Sequence, residues 1–337
     1  MVSPEVSVLL VCYNQEATVG RAIESLLVQS GDVPYEIIIA DDCSVDSTAA
    51  ICRDYAERYP ERIVMLRREV NMGVAANYFD ALAHARGRFV ADCAGDDWWP
   101  DPGRLARQHA ALASDPSLVM VHGRWSERRS DGSVTMPDFG SPAYSRIHPP
   151  QIDGREMLEA HFRHDFPVAV HLSTAMFRVS AAREALEAAD SATLFSREFG
   201  CEDFPLIAAL LSRGRVAYAA TEELAYSVGG DSLSNDRDPS RSFALSERSL
   251  AMTLELAPFY GIAEERMAGF VEMRLRGLVR FAFAARSRNL ARRASEWASR
   301  LAPLLSWRSL PERVVARSAL AWHALTLLKR LSPRPEQ

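Results

Sequence analysis

Apolar positions in the first 123 residues fall in short runs separated by stretches of helical period. Val6–Cys12 is an almost unbroken apolar run, as expected for a strand buried on both faces. Residues 16–29 follow, with Val19, Ala22, Ile23, Leu26 and Leu27 at helical spacing. The alternation then repeats. Glu36–Ala40 is a strand, and Asp46-Ser47-Thr48 opens a helix to about Arg58. Ile63–Leu66 is a strand, Asn71-Met72-Gly73 a turn and 74–85 a helix. Phe89–Ala91 is a strand, 101–113 a helix and Leu118–His122 a strand. This order predicts an α/β fold, a mostly parallel central sheet flanked by helices on both faces. Residues 125–153, rich in Ser, Pro, Gly and Asp, read as a loop or linker. Between 154 and 235 the pattern is mixed, with helices at 154–162, 179–188 and 203–213 and strands at 171–177, 215–219 and 223–228. From about 241 everything reads helical, with breaks near Gly261, Pro303 and Pro311. The organisation expected is a domain over 1–240, in halves 1–123 and 124–240, and a helical region over 241–337.

Composition narrows the class. The 337 residues are 48% hydrophobic and 25% charged, which describes a globular chain. No apolar run reaches 18 residues and no signal peptide precedes the first strand. The expectation is a cytoplasmic protein, at most peripheral on the inner face of the membrane. The five cysteines form no CxxC pair and read as reduced thiols. Charge is unevenly placed: residues 261–337 carry 15 Lys+Arg against 6 Asp+Glu, and the remainder 24 against 38. The acidic body argues against a nucleic-acid partner.

The basic tail carries a helical stripe of Met267, Phe270, Val271, Leu275, Leu278, Val279 and Ala282, with Arg274, Arg276 and Arg280 among it. Further on, Trp297, Leu301, Leu304, Leu305, Trp307 and Trp322 mix with Arg300, Arg308, Arg313 and Arg317. Three readings stay open: helices packed on the body, contact with an anionic membrane surface where a lipid-linked acceptor would wait, or a homodimer face.

Candidate chemistry gathers where strands should end. Ala94-Gly95-Asp96-Asp97-Trp98-Trp99 follows a strand, and ligands of open α/β sheets bind outside the strands' carboxyl ends. Adjacent carboxylates there are costly unless a cation neutralises them, and a divalent metal holding a diphosphate would do so. The plain alternative is a solvated turn capping the next helix. Tyr13, at the end of the first strand, can stack on a flat base or simply pack. Asp41 and Asp42 end the second strand, where one could accept an imide N–H or a ribose hydroxyl. Gly73 permits close backbone approach at the Asn71 turn, and Asn77 follows it. Glu202-Asp203 starts a helix, which suits either the helix dipole or a general base. His171 lies in an expected strand, as a core or rim residue. Trp98 and Trp99 are packing residues or a platform for a sugar ring.

Together these residues resemble the family 2 glycosyltransferases, nucleotide-sugar-dependent enzymes of the GT-A fold. The matching pieces are Ser7–Asn14 with Glu16, Ile39–Ser44 with Asp46 and Thr48, Asn71-x-Gly73 with Asn77, Gly87-Arg88-Phe89, Gly95–Trp99 with Pro102 and Leu105, and Glu202-Asp203. The resemblance covers roughly residues 5 to 235. It implies a nucleotide-binding half over 1–123 and an acceptor-binding half over 124–240. It implies that Val11, Tyr13, Glu16, Asp41, Asn71, Asn77 and Asp96 face a nucleotide-sugar donor, UDP-sugar favoured. Asp97 would be the ligand of a divalent cation, Mn2+ or Mg2+, and Asp203 the catalytic base. Glu202, Trp98 and His171 would line the acceptor side. The implied reaction is sugar transfer with inversion to a glycan or lipid-linked acceptor in surface polysaccharide synthesis.

Two departures stand out. Ala94 occupies a position that is acidic in many relatives. Tyr226-Ser227-Val228-Gly229 replaces a Tyr-Arg-x-His segment, so an arginine and a histidine are missing; Ser232, Ser234 or Arg237 are the nearby substitutes. These losses keep a non-catalytic nucleotide-sugar or glycan-binding homologue as the alternative. A nucleotidyltransferase would need a Gly-rich loop with a basic residue after the first strand, and a dehydrogenase a GxGxxG; Tyr13-Asn14-Gln15-Glu16 supplies neither.

Overall fold

The computed structural model describes residues 3–164, 170–188, 195, 199–229 and 238–304. The chain divides into two compact units, Met1–Gly229 and Gly230–Gln337.

The strands of the first unit are β1 (Val6–Cys12), β2 (Tyr35–Asp41), β3 (Ile63–Arg67), β4 (Phe89–Ala94), β5 (Leu118–Arg129), β6 (Val134–Thr135), β7 (Gln151–Asp153), β8 (Met176–Arg178) and β9 (Arg215–Val228). They form one sheet in the order β3-β2-β1-β4-β8-β5-β9-β7, with β6 beside β5. β3, β2, β1 and β4 run parallel, β8 is antiparallel to both β4 and β5, and β9 is parallel to β5. The sheet is therefore mostly parallel, as the alternation predicts.

Helices α1 (Val19–Leu27), α2 (Thr48–Arg58), α3 (Val74–Ala83) and α4 (Arg104–Ser114) connect the early strands. Val8, Leu10, Ile37, Ile39, Phe89 and Ala91 pack with Val19, Ile23 and Leu26 of α1 in one buried cluster. Because side chains alternate along β4, Cys93 joins this cluster while Asp92 points to the opposite face. After β3 the chain returns to the other side of β1 to form β4. The order 3-2-1-4 thus puts a topological switch point between β1 and β4, where a crevice opens at the strands' carboxyl ends.

Residues 125–153 are not a linker. β5 runs on through Trp125-Ser126-Glu127-Arg128-Arg129, and β6, α5 (Pro142–Ile147) and β7 follow. The polar strand residues are satisfied across the ladder: Arg128 donates to Ser126 Oγ at 2.8 Å and to Glu222 at 2.8 Å. A strand whose polar groups pair with its neighbour carries loop-like composition. The two strands expected at 215–219 and 223–228 are one strand, β9, with register shifts opposite His122–Trp125. The expected strand 171–177 is a 3-10 turn, Leu172–Thr174, followed by β8. Helices α6 (Gly154–Phe162), α7 (Val179–Leu186) and α8 (Asp203–Leu211) complete the described part of this unit.

The second unit holds α9 (Pro239–Leu256), α10 (Ala268–Ala284) and α11 (Arg288–Arg300). Asp238 caps α9 and Ser287 caps α11 through their side chains. Gly261 ends the turn after α9 in the left-handed conformation, φ 69°. The predicted stripe from Met267 to Ala282 is buried, and α10 packs with α9 and α11 inside this unit. Among the described residues no helix is long and apolar enough to cross a membrane. Leu305, Trp307, Arg308, Arg313, Arg317 and Trp322 lie outside the described residues.

Candidate active site

The crevice is built from three loops that follow parallel strands. Register aligns Cys12 of β1 with Asp41 of β2, and Val11 of β1 with Ala94 of β4, so the loops leave the sheet side by side. The β1 and β2 loops are locked together. Asn14 donates its N–H to Ser44 Oγ at 2.9 Å, and its Oδ1 accepts from Val45 N at 2.9 Å. Glu16 Oε2 accepts from Ser47 N at 2.9 Å, and Asp46 accepts from Glu16 N at 3.1 Å. Asn14 and Cys43 hold left-handed backbone, φ 51° and 64°, which these bonds sustain. Tyr13 is left 45% exposed at the rim, as a stacking surface for a planar ring requires.

The neighbouring acids divide between structure and site. Asp41 is buried and accepts from the backbone N–H and the hydroxyl of Ser44. Asp42 clamps the turn before α3, accepting from Met72 N at 2.7 Å and Gly73 N at 2.9 Å, while Asn71 Nδ2 donates to its carbonyl. Asn77 is buried, with Nδ2 bonded to Ala40 O at 2.8 Å and Oδ1 accepting from Arg68 at 3.0 Å. Its amide therefore pins α3 to β2 and is occupied at both ends. Glu16 likewise spends one carboxylate oxygen on the start of α2.

At the end of β4, Gly95 passes directly over the β1 loop. A Cβ there would sit 2.7 Å from Cys12 Cβ and would also overlap the Gln15 amide. Only glycine lets the chain through, and the passage delivers Asp96 and Asp97 to the crevice. Asp97 is 1% exposed. Burial, and then the adjacent Asp96, push its carboxyl well above the usual range. Burial also raises Asp96, opposed by Arg21 and by a hydrogen bond with the Gln15 side chain.

Two groups close on this pair. Ser227 donates its N–H to Asp97 Oδ1 at 2.8 Å and its hydroxyl to Asp96 O. Arg21, on α1, donates to Asp96 O at 3.2 Å and lies over the Trp98 ring at 3.6 Å. The segment that lacks an arginine and a histidine thus still seals the acids, through a backbone amide and a hydroxyl, and a helix on the other side of the crevice supplies the guanidinium. Ser232, Ser234 and Arg237 lie outside the described residues. Trp98 bridges to Ala225 in antiparallel fashion, which ties the Asp-Asp loop to β9.

A second acidic group gathers around the other face of β4. Asp92, 4% exposed, leaves its Oδ1 without a hydrogen-bond partner. Burial pushes its carboxyl up to about 7, with buried Arg104 opposing and Asp203 adding to the shift. Glu202 is raised by burial and then by Asp203 and Asp92. Asp203 begins α8, its side chain open to solvent at the mouth of a crowded recess. Lost hydration raises its pKa, while the Phe204 N–H, 2.6 Å from Oδ1, and the Cys201 thiol favour its charged form. Asp92 is coupled both to Asp203 and to Asp97, which links the two acidic groups across the end of β4. His171 sits between the rings of Trp125 and Tyr226, each 5.3 Å away, and burial pulls its pKa down to about 4, so it is neutral at ordinary pH.

Sequence reasoning missed Arg21, Asp92 and Gln15. Helical periodicity assigns Arg21 to a solvent face, and nothing local marks it as a partner of Asp96. Asp92 carried a usable signal: a carboxylate inside an apolar strand is anomalous unless it serves a site. Among the described residues no group of three or more His, Cys, Asp or Glu side chains is arranged to hold a metal ion.

Comparison with known proteins assigns the class. The sequence pattern of glycosyl transferase family 2 matches residues 7–184, more than half of the chain, and the chain belongs to that family. A putative teichuronic acid biosynthesis glycosyltransferase of Bacillus subtilis, TuaG, is 41% identical over 148 residues, 44% of this chain and 54% of that protein. Matched segments span from about a tenth to about half of the curated relatives' lengths. Among solved structures, S. aureus TarS 1–349 in complex with UDP-GlcNAc aligns with 98% of this chain and 93% of its own, at 16% identity and a TM-score of 0.56. The mannosyltransferase PcManGT of Pyrobaculum calidifontis, with GDP-Man and Mn2+, aligns at 17% identity and a TM-score of 0.51, over 98% and 89% of the two chains. The fold is the GT-A type.

Proposed function

We propose that this protein is an inverting glycosyltransferase that moves a sugar from a nucleoside-diphosphate sugar, UDP-sugar favoured, to an acceptor hydroxyl in surface polysaccharide or glycan synthesis. The observation that carries the reading is the half-buried Asp96 beside the buried Asp97 at the β1/β4 switch point, sealed by Ser227 and faced, among the described residues, by the exposed guanidinium of Arg21. Burial raises both carboxyls, Asp96 adds to the shift at Asp97, and Arg21 only partly opposes it. Adjacent carboxylates withdrawn from water fit a divalent cation, and Asp97 would hold it together with the donor's diphosphate. Such an ion, Mn2+ or Mg2+, would neutralise charge on the departing diphosphate.

The chain's own residues do the rest. Tyr13 offers a ring for the base, and the Gln15–Asp96 contact fixes the loop beneath the ribose. Asp203 takes the proton from the acceptor hydroxyl as that oxygen bonds to the anomeric carbon. The bond from the anomeric carbon to the phosphate oxygen breaks on the opposite face, and the nucleoside diphosphate leaves with the electron pair. Glu202 and Asp92, both raised, hold protons more readily than ordinary carboxylates, which limits like-charge repulsion around Asp203. The TuaG likeness supports a role in polysaccharide synthesis, and the UDP-GlcNAc bound to TarS supports the donor class.

The test is release of UDP and formation of a glycoside from UDP-sugars with Mn2+, with and without chelator. Asp203→Asn should lower turnover by about 10²–10⁴-fold, with donor affinity within about threefold of wild type. Asp97→Asn should remove metal-supported donor binding as well. Donor binding with no turnover in the wild-type protein would establish a nucleotide-sugar binder instead.

A further inference from the structure

On the helical unit, an open cavity of about 550 Å³ lies along α10 and against Ser246 of α9. Its wall carries three arginines, Arg274, Arg276 and Arg280, and one acid, Glu272. Glu272 pairs with Arg276 at 2.7 Å, which leaves Arg280 and Arg274 without an acid, the latter lying 5.3 Å over the Phe270 ring. Nε of Arg274 is buried and has no hydrogen-bond partner, and burial lowers the pKa of this guanidinium with no acid opposing the shift. Arg280 stands exposed at the rim. Among the described residues no carboxylate forms an ion pair with either one. Gly269, exposed in the lining, leaves open space where a Cβ would stand.

A buried donor without an acceptor costs about 1–3 kcal/mol, and a native fold rarely leaves one in place without a compensating partner. An oxyanion satisfies such a donor with a charge-assisted bond, and the planar guanidinium fork matches phosphate geometry. The surroundings indicate what carries the phosphate. Met273, on the same wall, is 51% exposed, and Phe281 lines the cavity beside Arg280. Residues 261–337 hold 15 basic against 6 acidic side chains. Apolar side chains around an arginine-lined recess on a basic segment suit an anionic bilayer surface, which attracts basic residues by about 1 kcal/mol each. We propose that this cavity binds the phosphate of an anionic lipid headgroup, with Arg274 and Arg280 holding its oxygens and Met273 resting against the acyl boundary. The site is independent of the sugar-transfer reading.

The experiment is co-sedimentation of the full chain, at physiological salt, with vesicles of phosphatidylcholine containing about one third phosphatidylglycerol, and with phosphatidylcholine alone. The wild-type protein should sediment with the mixed vesicles only. Arg280→Glu, an exposed change that should leave the unfolding midpoint where it is, should weaken binding about tenfold or more. Adding Arg274→Met should abolish it. Millimolar inorganic phosphate should raise the unfolding midpoint of the wild-type protein and not of the double variant. Equal sedimentation of wild type and Arg280→Glu overturns the site. Stabilisation by phosphate without recruitment to either vesicle overturns the lipid as occupant, and equal binding to both vesicles overturns the role of charge.

Discussion

Gly95→Ala isolates the step in which the fold presents its acids. The new methyl would sit 2.7 Å from Cys12 Cβ. Carbon atoms in contact prefer about 3.5–4.0 Å, so the β4 loop must move by about 1 Å. Gln15 can swing aside, because its amide ends a flexible chain. Cys12 cannot, since it belongs to β1, is 4% exposed and packs 4.0 Å from the Cys52 sulfur. Overpacking of this kind costs about 1–3 kcal/mol, which lowers the unfolding midpoint by about 2–12 °C in a unit of this size. The same displacement acts on Asp96 and Asp97, one and two residues on, and a 1 Å misplacement costs about 10²-fold in rate. Thermal unfolding followed by circular dichroism reads the first effect, and UDP release from a UDP-sugar reads the second. A variant with wild-type midpoint and wild-type kcat/KM would show that the loop does not depend on this close passage, and the account of how Asp97 is positioned would fall with it.

Three further outcomes follow from the same geometry. Asp92→Asn should stabilise the protein at pH 8 by up to about 4 kcal/mol, since the folded carboxyl is raised from the ordinary range to about 7. The sign is set by linkage: stability from a raised acid is complete below its unfolded pKa and is lost as pH rises toward 7. The advantage of the amide should therefore vanish below about pH 4 in urea titrations, and a gap constant across pH would refute it. Arg21→Gln removes an exposed cation, worth at most about 1 kcal/mol, so donor KM should rise by roughly fivefold or less with kcat nearly unchanged. Chelation should abolish the rise in unfolding midpoint that UDP produces with Mn2+, and persistence of that rise in chelator would remove the metal from the donor site.

The fold was legible where local and global signals agree. Val6–Cys12 and Glu36–Ala40 read as buried strands because both faces of a parallel strand are apolar, and Gly154–Phe162 read as a helix because its period is unambiguous. Trp125–Arg129 read as loop because Arg128, Glu222 and Ser126 satisfy one another only across paired strands. The site was legible in part. Acids at strand ends stand out, and the structure brings Asp96, Asp97, Asp92, Glu202 and Asp203 to one end of β4. Sequence cannot say which polar side chains are already occupied, so Asn77 and Glu16 looked as available as Tyr13.

By itself, the sequence determined the order of elements over the first 123 residues, the class of fold and the positions of the acidic pairs, because period, capping and turn chemistry are written within a few residues. Only the tertiary structure decided which charges meet. Arg21 reaches Asp96 across 75 positions and Ser227 reaches Asp97 across 130. Burial, and hence the raised carboxyls of Asp92 and Asp97, depends on everything packed around them. Such contacts arise where α1 and β9 close on the loop after β4, and no local pattern encodes them.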